Sequence, residues 1–232
     1  MKRSTLVRLV SASLSIVLLP LAILGAPAPA AACGTAVFSV VDRAGKADLA
    51  PQQISSAERS LSQGAVASAA TQVFKVFPKL KTTRPGAGPL SDRALRILSL
   101  ATTRAEGAVT VGSGTTWPMA GVTPEQKEAN LLFAIDTLRK LNEKRANNPS
   151  LQTDLAEALG KVPRFKSEAY AILTELAKKD LVASAEGYAT LAKLHDAMGE
   201  GAPRDAAVKR CEGMTKTPKA CQVPATTATT SS

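Results

Sequence analysis

Histidine occurs once in the 232 residues, at His195, and aromatic residues make up only 3% of the chain. A Ser–His–acid or Cys–His relay needs a base that titrates near neutrality, usually histidine. His195 follows Leu194 toward the end of a helical pattern, where an exposed or half-buried imidazole is welcome at the negative end of the helix dipole. One histidine and three scattered cysteines provide no zinc-ligand spacing. The shortage of aromatics argues against a β-sandwich, and against a single-stranded nucleic-acid binder, which interleaves aromatics with its basic residues. The run Gly112-Ser113-Gly114-Thr115-Thr116 has the look of a phosphate-cradling loop, but it lacks the lysine and the preceding strand such a loop needs, and reads as a turn. The chain is therefore expected to be no enzyme, with no catalytic residues, no metal, no cofactor and no nucleic-acid partner.

Long apolar runs are also missing, except at the start. Lys2, Arg3 and Arg8 precede a run from 9 to 24 that Pro20 interrupts, and Ala28-Pro29-Ala30-Ala31-Ala32 follows. A basic segment, an apolar segment and small residues at its end spell a secretory signal peptide over residues 1–32, cleaved after Ala30, Ala31 or Ala32. The apolar run falls short of the roughly 20 residues a membrane span requires. Export into a bacterial periplasm or cell envelope is the implied location. There the three cysteines Cys33, Cys211 and Cys221 meet an oxidising environment, and one disulfide leaves one cysteine over. In one reading Cys211 pairs with Cys221 and Cys33 is lipidated, because Ala30-Ala31-Ala32-Cys33 resembles a lipoprotein cleavage box, with Ala30 where that box prefers leucine. In the other the protein is soluble, Cys33 joins a disulfide and one thiol stays free.

What the chain does have is alanine, a net charge of +10 and helical periodicity. Residues 33–53 read as an extended segment laid against the first helices. Ser55 and Ser56 look like a helix start, and helices are expected at 56–63 and 66–77. A Pro/Gly-rich linker fills 81–90, and Ser91-Asp92 caps a helix over 93–106. Residues 108–123 form a long inserted loop carrying the sole tryptophan, Trp117, either as a partner anchor or as a pin onto the helical body. Thr123-Pro124-Glu125-Gln126 reads as an N-cap, a first-turn proline and helix-dipole acids. Further helices follow at 124–145, from Ser150 or Thr153 to 160, at 168–180, 184–195 and 205–214. A Thr/Ser/Pro-rich tail over 215–232 buries too little to order itself. Basic residues cluster at Lys75, Lys79 and Lys81, at Arg139, Lys140, Lys144 and Arg145, and at Lys161, Arg164 and Lys166. They are either solvated helix faces or a surface for anionic lipid or polysaccharide.

Two stretches echo one another. Leu159-Gly160-Lys161-Val162 returns as Leu191-Ala192-Lys193-Leu194, each followed by a Pro- or Gly-marked break and an Ala-rich helix. A large apolar residue, a small one where helices approach, a turn and a second helix resembles the tetratricopeptide repeat, whose period is about 34 residues. The resemblance is clearest over residues 149–214. It implies an all-α fold: a short right-handed superhelical stack of about four helical hairpins over 54–214 with one continuous core. It also implies a scaffold or assembly factor that binds a peptide or protein in a groove lined by the first helix of each hairpin, at 93–106, 153–160 and 185–195. Trp117, Tyr188, Lys161 and Arg164 are candidate contacts with that partner. The alternative is a structural protein held on anionic lipid or polysaccharide by its basic faces, with membrane association through those faces or a lipidated Cys33.

Overall fold

The structure, a computed structural model, describes residues 38–81, 88–111, 115–117, 123–216 and 218–223. Residues 1–32, Cys33 and the tail from 224 onward lie outside the described residues. Among the described residues are eight α-helices: α1 (Phe38–Ser62), α2 (Val66–Val76), α3 (Pro89–Arg104), α4 (Pro124–Lys144), α5 (Pro149–Leu159), α6 (Lys166–Lys178), α7 (Ala185–Ala197) and α8 (Gly201–Met214). They pack as consecutive pairs, α1 on α2, α3 on α4, α5 on α6 and α7 on α8. Each second helix also touches the first helix of the next pair, and α1, α3, α5 and α7 touch in a row. The fold is the expected all-α stack of four hairpins.

Helix boundaries follow local chemistry, and several differ from the sequence reading. At α4 the Thr123 hydroxyl accepts from the Gln126 N–H while the Gln126 side chain accepts from the Thr123 N–H, a complete capping box with Pro124 in the first turn. Ser184 caps α7 by accepting from the Gly187 N–H. The cap of α5 is Asn148, whose side chain accepts from the Leu151 N–H at 3.1 Å, so Pro149 opens α5 and Ser150 and Thr153 lie inside it. Pro149 therefore starts a hairpin. Likewise α3 begins at Pro89, before Ser91-Asp92, and α8 at Gly201, with Pro203 in its first turn.

The extended reading of 33–53 is corrected from residue 38 onward, where α1 is already helical. Ser55 is no cap: its hydroxyl donates to the Pro51 carbonyl four residues back, which is how a mid-helix serine satisfies itself. Pro51 lies inside the helix, at the cost of one backbone hydrogen bond. Within the 108–123 insertion, Val109–Val111 (β1) and Thr115–Trp117 (β2) pair antiparallel, with Val109 opposite Trp117. The loop expected over 108–123 thus contains a short two-stranded hairpin. Of the tail, Pro218–Cys221 forms a 3₁₀ turn packed on α7 and α8, and Val223 packs beside it.

Gly107 shows how tightly consecutive helices join. Its φ of +85° ends α3, and a Cβ there would stand 2.3 Å from the Lys127 carbonyl oxygen of α4, so only glycine fits. The Gly107 carbonyl in turn accepts from buried Asn130 of α4 at 2.7 Å.

The apolar core is divided, where a single continuous one was expected. One cluster joins α1, α2, α3 and β1 around Ile54, Val73, Ile97 and Leu98; the other joins α4 to α8 around Leu138, Leu159, Leu173 and Leu191. Polar residues are buried on the helices where the clusters meet: Ser99, Thr102 and Thr103 on α3, Asn130 and Thr137 on α4, Thr153, Asp154 and Glu157 on α5.

Candidate functional site

The row of first helices places a charged seam along α3. Arg93, Ile97, Leu100 and Arg104 recur at helical spacing on one face, with Arg96 beside them. Toward α1, Arg93 forms a two-pronged pair with Glu58 at 2.9 and 2.6 Å and donates to the Ser55 hydroxyl at 2.9 Å. Toward α5, Arg96 Nε donates to Asp154 and its Nη2 donates to the Ser150 hydroxyl at 2.6 Å. Arg104 grips Glu157 through Nε and Nη2 at 3.0 and 3.1 Å. Its remaining nitrogen reaches the Leu61 carbonyl of α1 at 3.3 Å and Glu186 of α7 at 3.2 Å. One guanidinium thus ties four helices, in the forked geometry that favours arginine over lysine.

These pairs differ in their contact with water. The Glu157 side chain is 2% exposed and that of Asp154 4%, against 42% for Glu58. Burial raises the Glu157 carboxyl above its ordinary value, with Arg104 opposing, and raises Asp154 likewise, with Arg96 opposing. Glu58 is lowered instead, chiefly by its hydrogen bonds from Arg93. Arg104 is held protonated by Glu157, Glu186 and Asp154 although burial works against it.

Above the seam lies a groove of about 330 Å³. Leu61, Ile97 and Leu100 give it apolar walls, and Arg96, Ser150 and Ser184 give it polar ones. Such a surface, apolar with a few fixed hydrogen-bonding groups, suits an extended segment of another chain. No group of three or more histidine, cysteine, aspartate or glutamate side chains among the described residues is arranged to hold a metal ion.

The four residues singled out from the sequence do not converge on this groove. Trp117 is placed by its backbone in β2; its side chain lies outside what is described. Tyr188 is 5% exposed, donates to Asp180 at 3.4 Å, and lines a separate depression of about 640 Å³ with Arg210 and Met214. Lys161 pairs with Glu106 at 3.4 Å, close to Lys193. Arg164 pairs with Glu128 at 3.7 Å and lies 5.0 Å from the centre of the Phe165 ring. His195, read as exposed or half-buried, is 8% exposed: its Nδ1 lies 2.6 Å from Glu200, and Tyr170 meets its ring edge-on. The seam residues that sequence reasoning missed, Arg96, Arg104, Asp154 and Glu157, carried no local signal, because each arginine finds its acid on a helix far along the chain.

Cys211 and Cys221 form a disulfide, S–S 2.07 Å, with both residues buried. A disulfide points to an oxidising, exported compartment. No helix among the described residues is long and apolar enough to cross a membrane. Comparison with protein-family models, with characterised proteins and with solved structures gives no match for this chain.

Proposed function

We propose that this protein is a non-enzymatic scaffold or assembly factor of the cell envelope, built on tetratricopeptide-like hairpins, that holds a segment of a partner protein in the groove over α1, α3 and α5. The observation that carries this reading is the groove itself. Its apolar strip of Leu61, Ile97 and Leu100 is flanked by polar groups, and its floor is fixed by arginine pairs to α1, α5 and α7. A rigid floor lowers the ordering cost of binding an extended segment. The signal-like start favours delivery to a bacterial periplasm, and the Ala-Ala-Ala-Cys33 sequence adds a lipid anchor as one form of attachment.

The reading in which basic faces hold the protein on anionic lipid or polysaccharide ranks lower. Arg139, Lys140, Lys144, Lys161 and Arg164, which looked like a basic surface, each face a carboxylate: Glu168, Asp136, Asp92, Glu106 and Glu128. Paired in this way they project little net field.

The test is site-specific photo-crosslinking in intact cells from Ser62 and Ser184 in the groove, with exposed Lys178 on α6 as control. One dominant protein adduct from the groove positions and none from Lys178 is expected. Equal, diffuse capture from all three positions would remove the groove reading.

A further inference from the structure

A second, smaller cavity opens on the other side of Arg96, where the end of α3's first turn, the end of α4 and the start of α5 meet. Its volume is about 80 Å³, and its walls include Asp92, Arg93, Arg96, Arg145, Asn148 and Ser150. A water molecule's share of liquid is about 30 Å³, so this space matches two or three waters or one small oxyanion.

Three arginines line it, two from α3 and one at the C-terminal cap of α4, and their guanidinium groups have donors to spare. Arg96 spends Nε on Asp154 and one Nη2 bond on Ser150; Arg93 spends Nε and Nη2 on Glu58 and Ser55. The Nη1 groups of both have no acceptor among the described residues. Arg145 makes no side-chain hydrogen bond or ion pair among the described residues and is exposed. The one acid in the wall, Asp92, is already engaged by Lys144 at 2.9 Å. The start of α5 adds the Ser150 hydroxyl and the positive end of a helix dipole to these three cations, its Leu151 N–H being already taken by Asn148.

We propose that this cavity is a binding site for a phosphate or sulfate group. The guanidinium groups of Arg93, Arg96 and Arg145 with the Ser150 hydroxyl carry more donors than the two oxygens of a carboxylate accept, whereas a tetrahedral oxyanion presents three or four oxygens. The group is either free inorganic phosphate or the headgroup phosphate of an anionic lipid. The cavity shares Arg96 and Ser150 with the groove's wall, but Arg145 lines the cavity and not the groove, so the loss of phosphate binding in an Arg145 variant would leave the peptide-binding reading untouched.

Thermal unfolding of the purified, disulfide-intact protein is followed while inorganic phosphate replaces chloride at constant ionic strength. A saturable rise in Tm with phosphate is expected, since a ligand that binds only the folded state stabilises it by mass action. Arg145→Gln removes a side chain with no hydrogen bond or ion pair among the described residues, so its Tm in chloride should match that of the unaltered protein. Its apparent phosphate affinity should fall about tenfold or more, the worth of one charge-assisted hydrogen bond. Arg164→Gln, on a distant turn, should keep the full response. No phosphate-specific rise, or a rise that survives Arg145→Gln, overturns the proposal. Cosedimentation with phosphatidic-acid vesicles, lost in Arg145→Gln and competed by phosphate, identifies a lipid headgroup as the source. Phosphate binding without cosedimentation identifies the free ion.

Discussion

At Arg104 the cost of burying charge and the benefit of pairing it can be separated. Its partner Glu157 is 2% exposed, so a variant that removes only the arginine strands an ionisable group in the core. Arg104→Met is expected to cost about 3–5 kcal/mol in urea unfolding, the usual result of breaking a buried pair. Replacing both, Arg104→Met with Glu157→Leu, should restore most of that loss, because neither charge then needs solvation. Arg93→Met removes a pair whose side chains are 36% and 42% exposed, and its effect should stay within about 1 kcal/mol. The same environment sets the pH response. Burial raises Glu157 above 4.5 and Asp154 above 3.8, so the native state holds these protons over a range where the unfolded chain has lost them. Their stabilising contribution is complete below those ordinary values and is lost as pH rises through the raised ones. Glu58 runs the opposite way, contributing above 4.5 and fading as pH falls through its lowered pKa. Glu157→Gln should therefore flatten the fall in urea midpoint seen as pH rises above about 4.5.

Between α5 and α7 two glycines trade places with two threonines. A Cβ on Gly160 of the α5 end would meet the Thr190 methyl of α7 at 2.5 Å, and a Cβ on Gly187 of α7 would meet the Thr153 methyl of α5 at 2.5 Å. Thr153 cannot turn aside, because its hydroxyl donates to the Pro149 carbonyl at 2.8 Å and accepts from the Ala183 N–H at 3.1 Å. Gly187→Ala is expected to cost about 1–3 kcal/mol through overpacking, despite the better helix propensity of alanine. Thr153→Ser keeps both hydrogen bonds and removes the methyl, so Gly187→Ala combined with Thr153→Ser should recover part of the loss in a double-mutant cycle, the contact with Val182 at 2.9 Å remaining. The sequence does show Gly160 as a small residue where helices approach, along with the hairpin order and the Thr123 cap. Each of those signals lies within a few residues of chain. The helical start of α1 was hidden because Ser55, which with Ser56 reads as a helix start, donates its hydroxyl to the Pro51 carbonyl inside the helix. The charged seam was hidden because Arg96 and Arg104 find their acids more than fifty residues away, and nothing local marks Asp154 or Glu157 as buried.

Two apolar clusters joined through a polar seam make the stack a test of how far cooperativity extends along a row of hairpins. The Cys211–Cys221 disulfide belongs to one cluster only. Its sulfur-bearing residues are buried, and it holds the Pro218–Cys221 turn against α7 and α8. Closing a loop with a sequence separation of 10 stabilises by about 2–3 kcal/mol in the chain-entropy account. If the seam isolates the clusters, reduction should weaken the half that contains the bond and spare the other. Hydrogen exchange read by mass spectrometry separates the cases, since it reports opening free energy segment by segment. On reduction, amides of α6, α7 and α8 should exchange faster by the factor that 2–3 kcal/mol sets, about thirty- to a hundred-and-fiftyfold. Amides of α1 and α2 should keep their rates. Uniform acceleration across both clusters would instead mean that the arginine pairs transmit stability across the seam. In that case Arg104→Met, which cuts the bridge from α3 to α5 and α7, should restore the difference between the two halves.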